Sequence, residues 1–431
     1  MRISPVPARV SPVPVRNSLV TRAAGSLAPV VLLAGLLAGC GTDDPKAGCD
    51  WMKDQAAASG AGGTVILVDG SASVRGTASD AGGLDYAPAI DALLRERVGA
   101  GDVFSVGTFA GAPGDVDWVF QKRSADWKRS ARSSGNQESN RDDAIGCLAE
   151  DVSTARRTVP AGEGTDVLAA LSTGTGLFHG VEGPRRLVVL SDGLSTVGCA
   201  DLRQAAFGSE PEIKAIVSVC ATRGEFAELP DLDGVGVTFV GLGRSAGNQP
   251  SANHAQRDWL ARLWKTLCER AGGAGTTCTT SDAPVGSAPA PDATGPVPAD
   301  PVVPYRNGRS RTYPLPGAAL FDTDSARLRP AATAPLTGIA VRARTTPGLD
   351  RVEVDGYVDP RGGSGNDRSL SQSRADAVAE LLVAHGVPES HVSAYGRGVS
   401  PGCSPGRSTE DMSDKERLQC DRRVDVRVFW K

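Results

Sequence analysis

The sequence predicts an α/β protein: a doubly wound, mostly parallel sheet, Rossmann-like in its arrangement, followed by a smaller α+β domain. Over the first two thirds of the chain, short apolar runs alternate with helical patterns, as in proteins whose parallel sheet is covered by helices. A stretch rich in Pro, Ala and Gly follows, and a second, shorter series of strand and helix patterns ends the chain. With 431 residues the chain is long enough for two domains.

The composition divides the chain into five segments. We expect a signal peptide over residues 1–39, a tether over 40–53, the first domain over 54–273, a Pro/Ala-rich linker over 274–311, and the second domain over 312–431.

The N-terminal segment is typical of an export signal. A basic region precedes the apolar core Val30–Leu37, which is too short to cross a bilayer as a helix. The core ends in L-A-G-C at Leu37–Cys40, which resembles the lipobox of bacterial lipoproteins. This resemblance implies that Cys40 becomes the lipid-modified N-terminus and holds the protein to the extracytoplasmic side of a membrane. The alternative is an ordinary cleaved signal that leaves Cys40 as a spare thiol.

The net charge disfavours nucleic acid as a partner. It is −4 for the whole chain, and the first 39 residues contain four arginines and no acidic residue. Without that segment the protein is more acidic, whereas nucleic-acid binding requires clustered basic residues.

The cysteines agree with an oxidising compartment. Apart from Cys40 there are eight, an even number. Cys403 and Cys420 lie near each other in a loop-like stretch, and we expect them to pair. The other six allow 15 connectivities, and the sequence does not choose among them: Cys49, Cys147, Cys199, Cys220, Cys268 and Cys278.

In the first domain, strand and helix patterns alternate along the chain. Strands are predicted at Val65–Val68, Val103–Phe109, Val116–Phe120, Leu187–Leu190 and Val235–Val240. Helices are predicted at Leu84–Val98, Arg141–Thr158, Asp166–Leu177 and Gln256–Ala271. The polar stretch Lys122–Arg141 is expected to be an extended, solvated insertion.

Beyond the first domain, Thr276–Pro304 contains P-A-P and P-V-P repeats and is predicted to be an extended, semi-stiff spacer. In the second domain, strands are predicted at Ala318–Phe321, Val352–Val358, Val392–Tyr395 and Val424–Trp430. Helices are predicted at Ala334–Arg342 and Arg368–His385.

Three loops of the first domain carry oxygen ligands at strand ends or helix starts. The run Thr64–Ser73 reads T-V-I-L-V-D-G-S-A-S, Gly162–Asp166 reads G-E-G-T-D, and Leu187–Gly193 reads L-V-V-L-S-D-G. Ligands of parallel sheets bind beyond the carboxyl ends of the strands. We therefore expect a site there for a divalent cation, Mg²⁺ first, with Mn²⁺ or Ca²⁺ as alternatives. Its ligands would be Asp69, Ser71, Ser73, Thr165 and Asp192.

This order of residues resembles the metal-ion-dependent adhesion site of von Willebrand factor A domains. The resemblance covers most of the first domain. It implies that the hydroxyls contact the metal, that the aspartates often act through water, and that a carboxylate of a protein partner completes the shell. The alternative is the same fold with a site that holds no functional metal and only stabilises loops.

Catalysis is not favoured by the sequence. None of the four histidines lies near Ser71 in sequence, and the residues around Gly70 do not form the G-x-S-x-G elbow of hydrolases. The G-x-x-x-x-G-K-[ST] phosphate loop is absent from the sequence. We therefore expect a binding protein rather than an enzyme.

The second domain contains a carboxylate and a guanidinium at a spacing that suits one pocket. Asp359 ends the predicted strand in G-Y-V-D, and Arg374 lies on the next helix in L-S-Q-S-R-A. Such a pair can bind a zwitterion: Asp359 would bind the ammonium group of the ligand, and Arg374 would bind the carboxylate of the ligand. The alternative is a structural salt bridge between the two.

These residues, with Asn366 and the R-R-V of Arg422–Val424, resemble the OmpA C-terminal-like family. That resemblance covers nearly all of the second domain and implies peptidoglycan as partner, gripped at its diaminopimelate through Asp359, Asn366 and Arg374. Val358 stands where the family usually has a threonine. The sequence thus predicts a lipid-anchored envelope protein that binds peptidoglycan and, through its metal site, an unidentified protein. A purely structural tether between membrane and wall is the alternative.

Overall fold

The computed structural model describes most of the chain after Gly48. The described residues are 49–52, 57–76, 82–97, 99–111, 116–128, 133–222, 229–290, 297–305, 309–359, 364–402 and 414–431. The predicted lipidation residue Cys40 and the predicted disulfide partner Cys403 lie outside these ranges. Asn366 lies within a helix, but its side chain is not among those described.

Twelve strands and ten α-helices are formed in the described part of the chain. The strands are β1 (Gly63–Asp69), β2 (Gly83–Asp85), β3 (Val103–Phe109), β4 (Val116–Ser124), β5 (Arg185–Leu190), β6 (Val235–Val240), β7 (Thr277–Ser281), β8 (Gly286–Ala288), β9 (Ser310–Pro316), β10 (Leu349–Val358), β11 (Val392–Val399) and β12 (Arg423–Trp430). The helices are α1 (Ala72–Arg75), α2 (Ala87–Arg97), α3 (Ser134–Arg157), α4 (Val167–Thr175), α5 (Glu210–Cys220), α6 (His254–Ala271), α7 (Gly317–Leu320), α8 (Thr333–Thr345), α9 (Ser364–Ala384) and α10 (Asp414–Asp421). Four short 3₁₀ turns lie at Asp50–Met52, Gly176–Phe178, Pro330–Ala332 and Glu389–His391.

The first sheet has six strands in the order β4-β3-β1-β5-β6-β7. All neighbours are parallel except β4, which runs antiparallel to β3 at one edge. The prediction of a mostly parallel sheet is therefore confirmed. All seven residues of β1 are buried, as expected for a central strand covered on both faces.

Both faces of this sheet are packed against helices. Val65 and Leu67 of β1 contribute to one hydrophobic cluster together with α4, α5 and α6, whereas Ile66 and Val68 contribute to another with α2 and α3. Because successive side chains of a strand point to opposite faces, this division shows that the sheet is doubly wound.

The predicted spacer is partly built into the first sheet. Thr277–Ser281 forms β7, which pairs in parallel with β6, and β8 pairs with β2. The prediction of an extended, semi-stiff spacer does not hold for these residues, which are strands paired with β6 and β2. Backbone hydrogen bonds to β6 stabilise β7 although its side chains are short and polar, and hydrophobic periodicity does not report such bonds.

Several other elements differ from the predictions. Helix α5 was not predicted, although Ile213, Ile216 and Val219 form its buried face. The predicted insertion Lys122–Arg141 was too long, because β4 continues to Ser124 and α3 begins at Ser134. Residues 83–85, expected near the start of a helix, form β2, and α2 begins at Ala87, whose amide donates to the carboxylate of Asp85 over 3.0 Å.

The C-terminal part of the chain forms a four-stranded sheet in the order β11-β10-β12-β9. Only β10 and β11 are parallel, which is consistent with the predicted α+β class. The prediction of a strand at Ala318–Phe321 is wrong, since Gly317–Leu320 is α7. The strand is β9, just before it, whose two prolines are tolerated because β9 lies at the edge of the sheet.

Three disulfides answer the pairing question that the sequence left open. Cys49 pairs with Cys147, Cys199 with Cys220, and Cys268 with Cys278. Cys420 is also disulfide-bonded, while Cys403 lies outside the described residues.

Within the described ranges, the helices are too short or too polar for any of them to span a membrane.

Candidate functional site

The loop after β1 holds the first three predicted metal ligands. Asp69 is buried, and its Oδ1 accepts a hydrogen bond of 2.9 Å from the amide of Ser71. The hydroxyls of Ser71 and Ser73 lie 3.1 Å apart. Gly70 permits this tight turn, because a Cβ at this position would lie 2.5 Å from the Cγ2 of Thr108.

Thr165 and Asp192 lie on two further loops at the same end of the sheet. Thr165 precedes α4, and its amide donates to the hydroxyl of Thr196 over 2.9 Å. Asp192 follows β5 and accepts hydrogen bonds from the amide of Leu194 at 3.0 Å and the hydroxyl of Ser245 at 2.8 Å. Thr165 and Asp192 are fully buried, so neither is a surface turn residue.

Side-chain contacts connect the three loops. The hydroxyl of Ser191, next to Asp192, donates to Oδ2 of Asp69 over 2.5 Å. Asp300, from the stretch expected to be a spacer, accepts from the amide of Ser73 at 3.3 Å and from the hydroxyl of Thr165 at 3.4 Å. The loops that carry the five predicted ligands thus converge above the carboxyl ends of β1 and β5, and a sixth oxygen-bearing side chain joins them.

The carboxylates of this cluster lie in an unfavourable electrostatic environment. Burial raises the pKa of Asp69 to about 6, and the nearby Asp300 contributes to the rise. The pKa of Asp192 is raised to about 8, mainly by burial and secondly by the negative charge of Asp69. Burial also raises the pKa of Asp300. In the described part of the chain, no Lys, Arg or His forms an ion pair with any of the three.

The donor set fits a hard divalent cation. It consists of carboxylate and hydroxyl oxygens, the ligands that Mg²⁺ and Ca²⁺ prefer. The hydroxyl of Tyr86, a residue 2 % exposed, has no hydrogen-bond partner among the described residues, and Asp69 and Asp192 both contribute to the raised pKa of this phenol. No group of three or more His, Cys, Asp or Glu side chains within the described ranges could hold a metal by itself. A cation here would therefore depend on the hydroxyls as well.

Sequence reasoning missed four polar residues of this cluster. Ser191, Thr196 and Ser245 support the predicted ligands through hydrogen bonds, and Asp300 faces them from a distant segment. For Ser191 the sequence did contain a signal, because this serine directly precedes the predicted ligand Asp192 in the Ser-Asp-Gly motif. Nothing in the low-complexity stretch around Asp300 sets this aspartate apart from its neighbours.

The second candidate site lies where β10 ends. Asp359 follows β10 and is 8 % exposed. Its Oδ2 lies 3.1 Å from Nε of Arg422, the first arginine of the R-R-V motif. The ion-pair partner of Asp359 in the described structure is therefore Arg422. The alternative of a structural salt bridge required Arg374 in that place.

Arg374 lies on helix α9, where its side chain contacts Ser325 and Phe321. Its Nε donates to the backbone carbonyl of Ser325 over 2.9 Å, and its guanidinium lies 5.2 Å from the ring centroid of Phe321. The pKa of Arg374 is lowered, mainly by burial and secondly by the positive charge of Arg422. The negative charges of Asp324 and Asp359 oppose this change. Arg374 has no ion-pair partner in the described part of the chain, although Asp324 and Asp359 lie close enough to influence its pKa.

Close packing of α9 on the C-terminal sheet sets the position of Arg374. A Cβ on Gly356 of β10 would lie 2.2 Å from the backbone oxygen of Ser371. The hydroxyl of Ser371 accepts from the amide of Gly398 at 3.0 Å, and the side-chain oxygen of Gln372 accepts from the amide of Gly396 at 2.6 Å. Val358 is buried, so the residue that replaces the family's threonine packs in the core.

Comparison with known proteins identifies the C-terminal region. Residues 320–415 match the model of the OmpA family. The probable lipoprotein YiaD of Escherichia coli K12 is 33 % identical over 114 residues, which is 26 % of this chain and 52 % of YiaD. The peptidoglycan-binding protein ArfA of Mycobacterium tuberculosis is 32 % identical over 103 residues, 24 % of this chain and 31 % of ArfA.

One solved structure with similarity to this region is the cell wall anchor of the T6SS from Pseudomonas aeruginosa. It is 29 % identical, with 28 % of this chain and 82 % of that chain covered, at a TM-score of 0.24. The chain spans about half the length of YiaD and less of ArfA.

The C-terminal domain is OmpA-like, as the sequence predicted. The predicted location, on the extracytoplasmic side of a membrane and in contact with the cell wall, is confirmed by the relatives with which this domain is shared.

Proposed function

We propose that the chain is a membrane-anchored, non-catalytic binding protein of the bacterial cell envelope, and that its OmpA-like domain binds peptidoglycan non-covalently. The match of residues 320–415 to the OmpA family supports this proposal. The similarity of this region to ArfA, a peptidoglycan-binding protein, supports the proposal further.

The chemistry around Asp359 and Arg374 carries the proposal. A cationic Arg374 without an ion-pair partner in the described structure is suited to a carboxylate. Asp359, which now lies beside Arg422, is suited to an ammonium group that competes with that arginine. Diaminopimelate in a stem peptide presents both groups at the end of one side chain, and Asn366 is proposed as a further contact.

Sedimentation with purified sacculi tests this function. The full-length chain should pellet with sacculi, and Arg374→Ala should reduce the pelleted fraction severely. Arg368→Ala is the matched control, since Arg368 is exposed on the same helix. Equal pelleting of the wild type and Arg374→Ala would reject the pocket. Release of soluble muropeptides from the sacculi would instead favour an enzyme.

For the first domain we propose divalent-metal-dependent binding of a protein partner, as in von Willebrand factor A domains. The observation that supports it is the convergence of Asp69, Thr165 and Asp192 without a neutralising side-chain cation in the described ranges. Mg²⁺ is the proposed ion, with Mn²⁺ or Ca²⁺ as alternatives. Bound there, it would supply positive charge that attracts a carboxylate of the partner.

Thermal unfolding of the full-length chain tests the metal site. A ligand of the native state at 100 times its Kd stabilises by about 2.7 kcal/mol, so Mg²⁺ or Mn²⁺ should raise the Tm and EDTA should reverse the rise. Asp192→Asn should abolish it, whereas the exposed Asp282→Asn should not. If metal leaves the wild-type Tm unchanged, the alternative of a purely structural tether between membrane and wall is favoured.

We also propose that Cys40 carries the lipid anchor. Metabolic labelling with a radioactive fatty acid should mark the wild type and leave Cys40→Ser unlabelled. A labelled Cys40→Ser variant would refute the assignment.

A further inference from the structure

The segment around Asp300 is fastened to the candidate metal site at several points. The carbonyl of Ala299 accepts a hydrogen bond of 2.8 Å from the amide of Gly164. Three residues after Asp300, Val303 is fully buried, and its amide and carbonyl both form hydrogen bonds of 2.8 Å with the side chain of Gln249. Asp300 is therefore held in place from both sides and is not an incidental contact of a loose chain.

The carboxylate of Asp300 faces the hydroxyls and the loop that are proposed to hold the metal. Its Oδ1 lies 3.1 Å from the hydroxyl of Thr196 and 3.4 Å from that of Thr165, and its Oδ2 lies 3.3 Å from the amide of Ser73. Thr165 and Ser73 are two of the five predicted ligands. Asp300 thus lies where a partner's carboxylate was expected to approach.

This placement is electrostatically costly without a cation. Asp300 joins Asp69 and Asp192, two buried carboxylates, and none of the three has an ion-pair partner in the part of the chain that the structure describes. A carboxylate removed from water needs a counter-charge or a full set of donors. The neighbouring residues Ala299 and Pro301 are exposed, so this short stretch lies at the surface and turns its aspartate inward.

We propose that Asp300 is an internal ligand of the divalent cation, and that it competes with the carboxylate of an external partner for the same site. This inference rests on the proposed metal site of the first domain. In the conformation described here the chain itself takes the partner's place, so binding of an acidic partner requires Asp300 to move away.

Binding of Mn²⁺ to the full-length chain tests the proposal. Three forms are compared by titration calorimetry and by the water-proton relaxation of bound Mn²⁺: the wild type, Asp300→Asn, and the control Asp282→Asn. Asp300→Asn should bind Mn²⁺ at least about 10-fold more weakly, the loss that removal of an outer-shell partner already causes. Its bound Mn²⁺ should also relax water faster, because the neutral amide oxygen of asparagine is a weaker ligand than the carboxylate and is more readily replaced by water.

Acetate serves as the probe for an external carboxylate. Acetate should lower the water-proton relaxation rate that Mn²⁺ causes when bound to Asp300→Asn. It should leave the water-proton relaxation rate of the Mn²⁺-bound wild type unchanged. If the wild type binds Mn²⁺ and Asp300→Asn matches it in affinity, relaxation and acetate response, Asp300 is not a ligand and only this inference falls. If the wild type binds no Mn²⁺, the proposed metal site and this inference both fail.

Thermal unfolding in EDTA separates a ligand from a merely structural residue. Asp300→Asn keeps the size and one acceptor of the side chain and removes a negative charge from the cluster. Its Tm without metal should equal or exceed that of the wild type. A markedly lower Tm without metal would assign Asp300 to loop packing and overturn the proposal.

Discussion

Glu212 of α5 and Arg342 of α8 form a buried ion pair that joins the first half of the chain to the OmpA-like domain. Their side chains are 0 % and 2 % exposed, and Nε of Arg311 lies 3.5 Å from the second carboxylate oxygen of Glu212. The guanidinium of Arg342 also lies over the ring of Trp430, 4.3 Å from its centroid. Two buried guanidinium groups therefore share one carboxylate as their counter-ion.

Removal of this carboxylate should be strongly destabilising. Glu212→Ala leaves Arg311 and Arg342 buried without their counter-ion, and loss of one partner of a buried pair typically costs about 3–5 kcal/mol. Unfolding in urea, followed by circular dichroism, measures the loss. The control is Glu210→Ala on the same helix, where an ion pair with Arg262 is more than half exposed. That variant should lose less than about 1 kcal/mol, and equal losses would contradict the role given to Glu212.

Gly356→Ala should weaken both stability and sacculus binding. The added methyl group would meet the backbone of Ser371, so α9 must move away from β10, at a cost of about 1–3 kcal/mol. Because α9 carries Arg374 and β10 leads to Asp359, the two charges should no longer face one ligand.

The control for that prediction is Gly146→Ala on α3. A Cβ there meets nothing within 4 Å, and alanine is the better helix former by up to about 1 kcal/mol. Gly146→Ala should leave sacculus binding unchanged and raise the free energy of unfolding. Wild-type binding by Gly356→Ala would show that the packing of α9 does not position the pocket.

The disulfides should differ in their contribution to stability. Cys49–Cys147 closes a loop with a sequence separation of 98, whereas Cys268–Cys278 has a separation of 10. In the chain-entropy description these loops are worth about 5 and about 3 kcal/mol. Paired Cys→Ser variants, compared by denaturant unfolding, should follow that order. The reverse order would mean that effects in the folded state exceed loop entropy here.

Binding should discriminate between two kinds of peptidoglycan. Stem peptides that carry lysine in place of diaminopimelate keep an ammonium group for Asp359 but offer no second carboxylate to Arg374. Loss of a charged hydrogen bond costs about 1.5–3 kcal/mol, or roughly 10- to 100-fold in affinity. Sedimentation with sacculi of both kinds measures the difference. With Arg374→Ala the preference should disappear, and its persistence would place the recognition elsewhere.

The most apolar strands and the site loops next to them could be predicted from the sequence. Val65–Val68 and Leu187–Leu190 are buried in a parallel sheet. Because ligands of such sheets bind at the carboxyl ends of the strands, the same pattern predicts that Asp69 lies near the loop of Asp192. Polar or atypical elements could not be predicted. Strand β7 has no apolar pattern, and β9 has a buried arginine and two prolines.

The sequence by itself determined the α/β class, the OmpA-like character of the second domain and the five candidate ligands, because each depends on a local pattern of a few residues. The tertiary structure decided which cysteines pair, that Glu212 meets Arg342, and that Asp300 faces the predicted metal loops. These contacts join residues 10 to 227 positions apart in the chain. Such contacts follow from the packing of whole elements, and neither composition nor spacing around Asp300 records where that segment folds back.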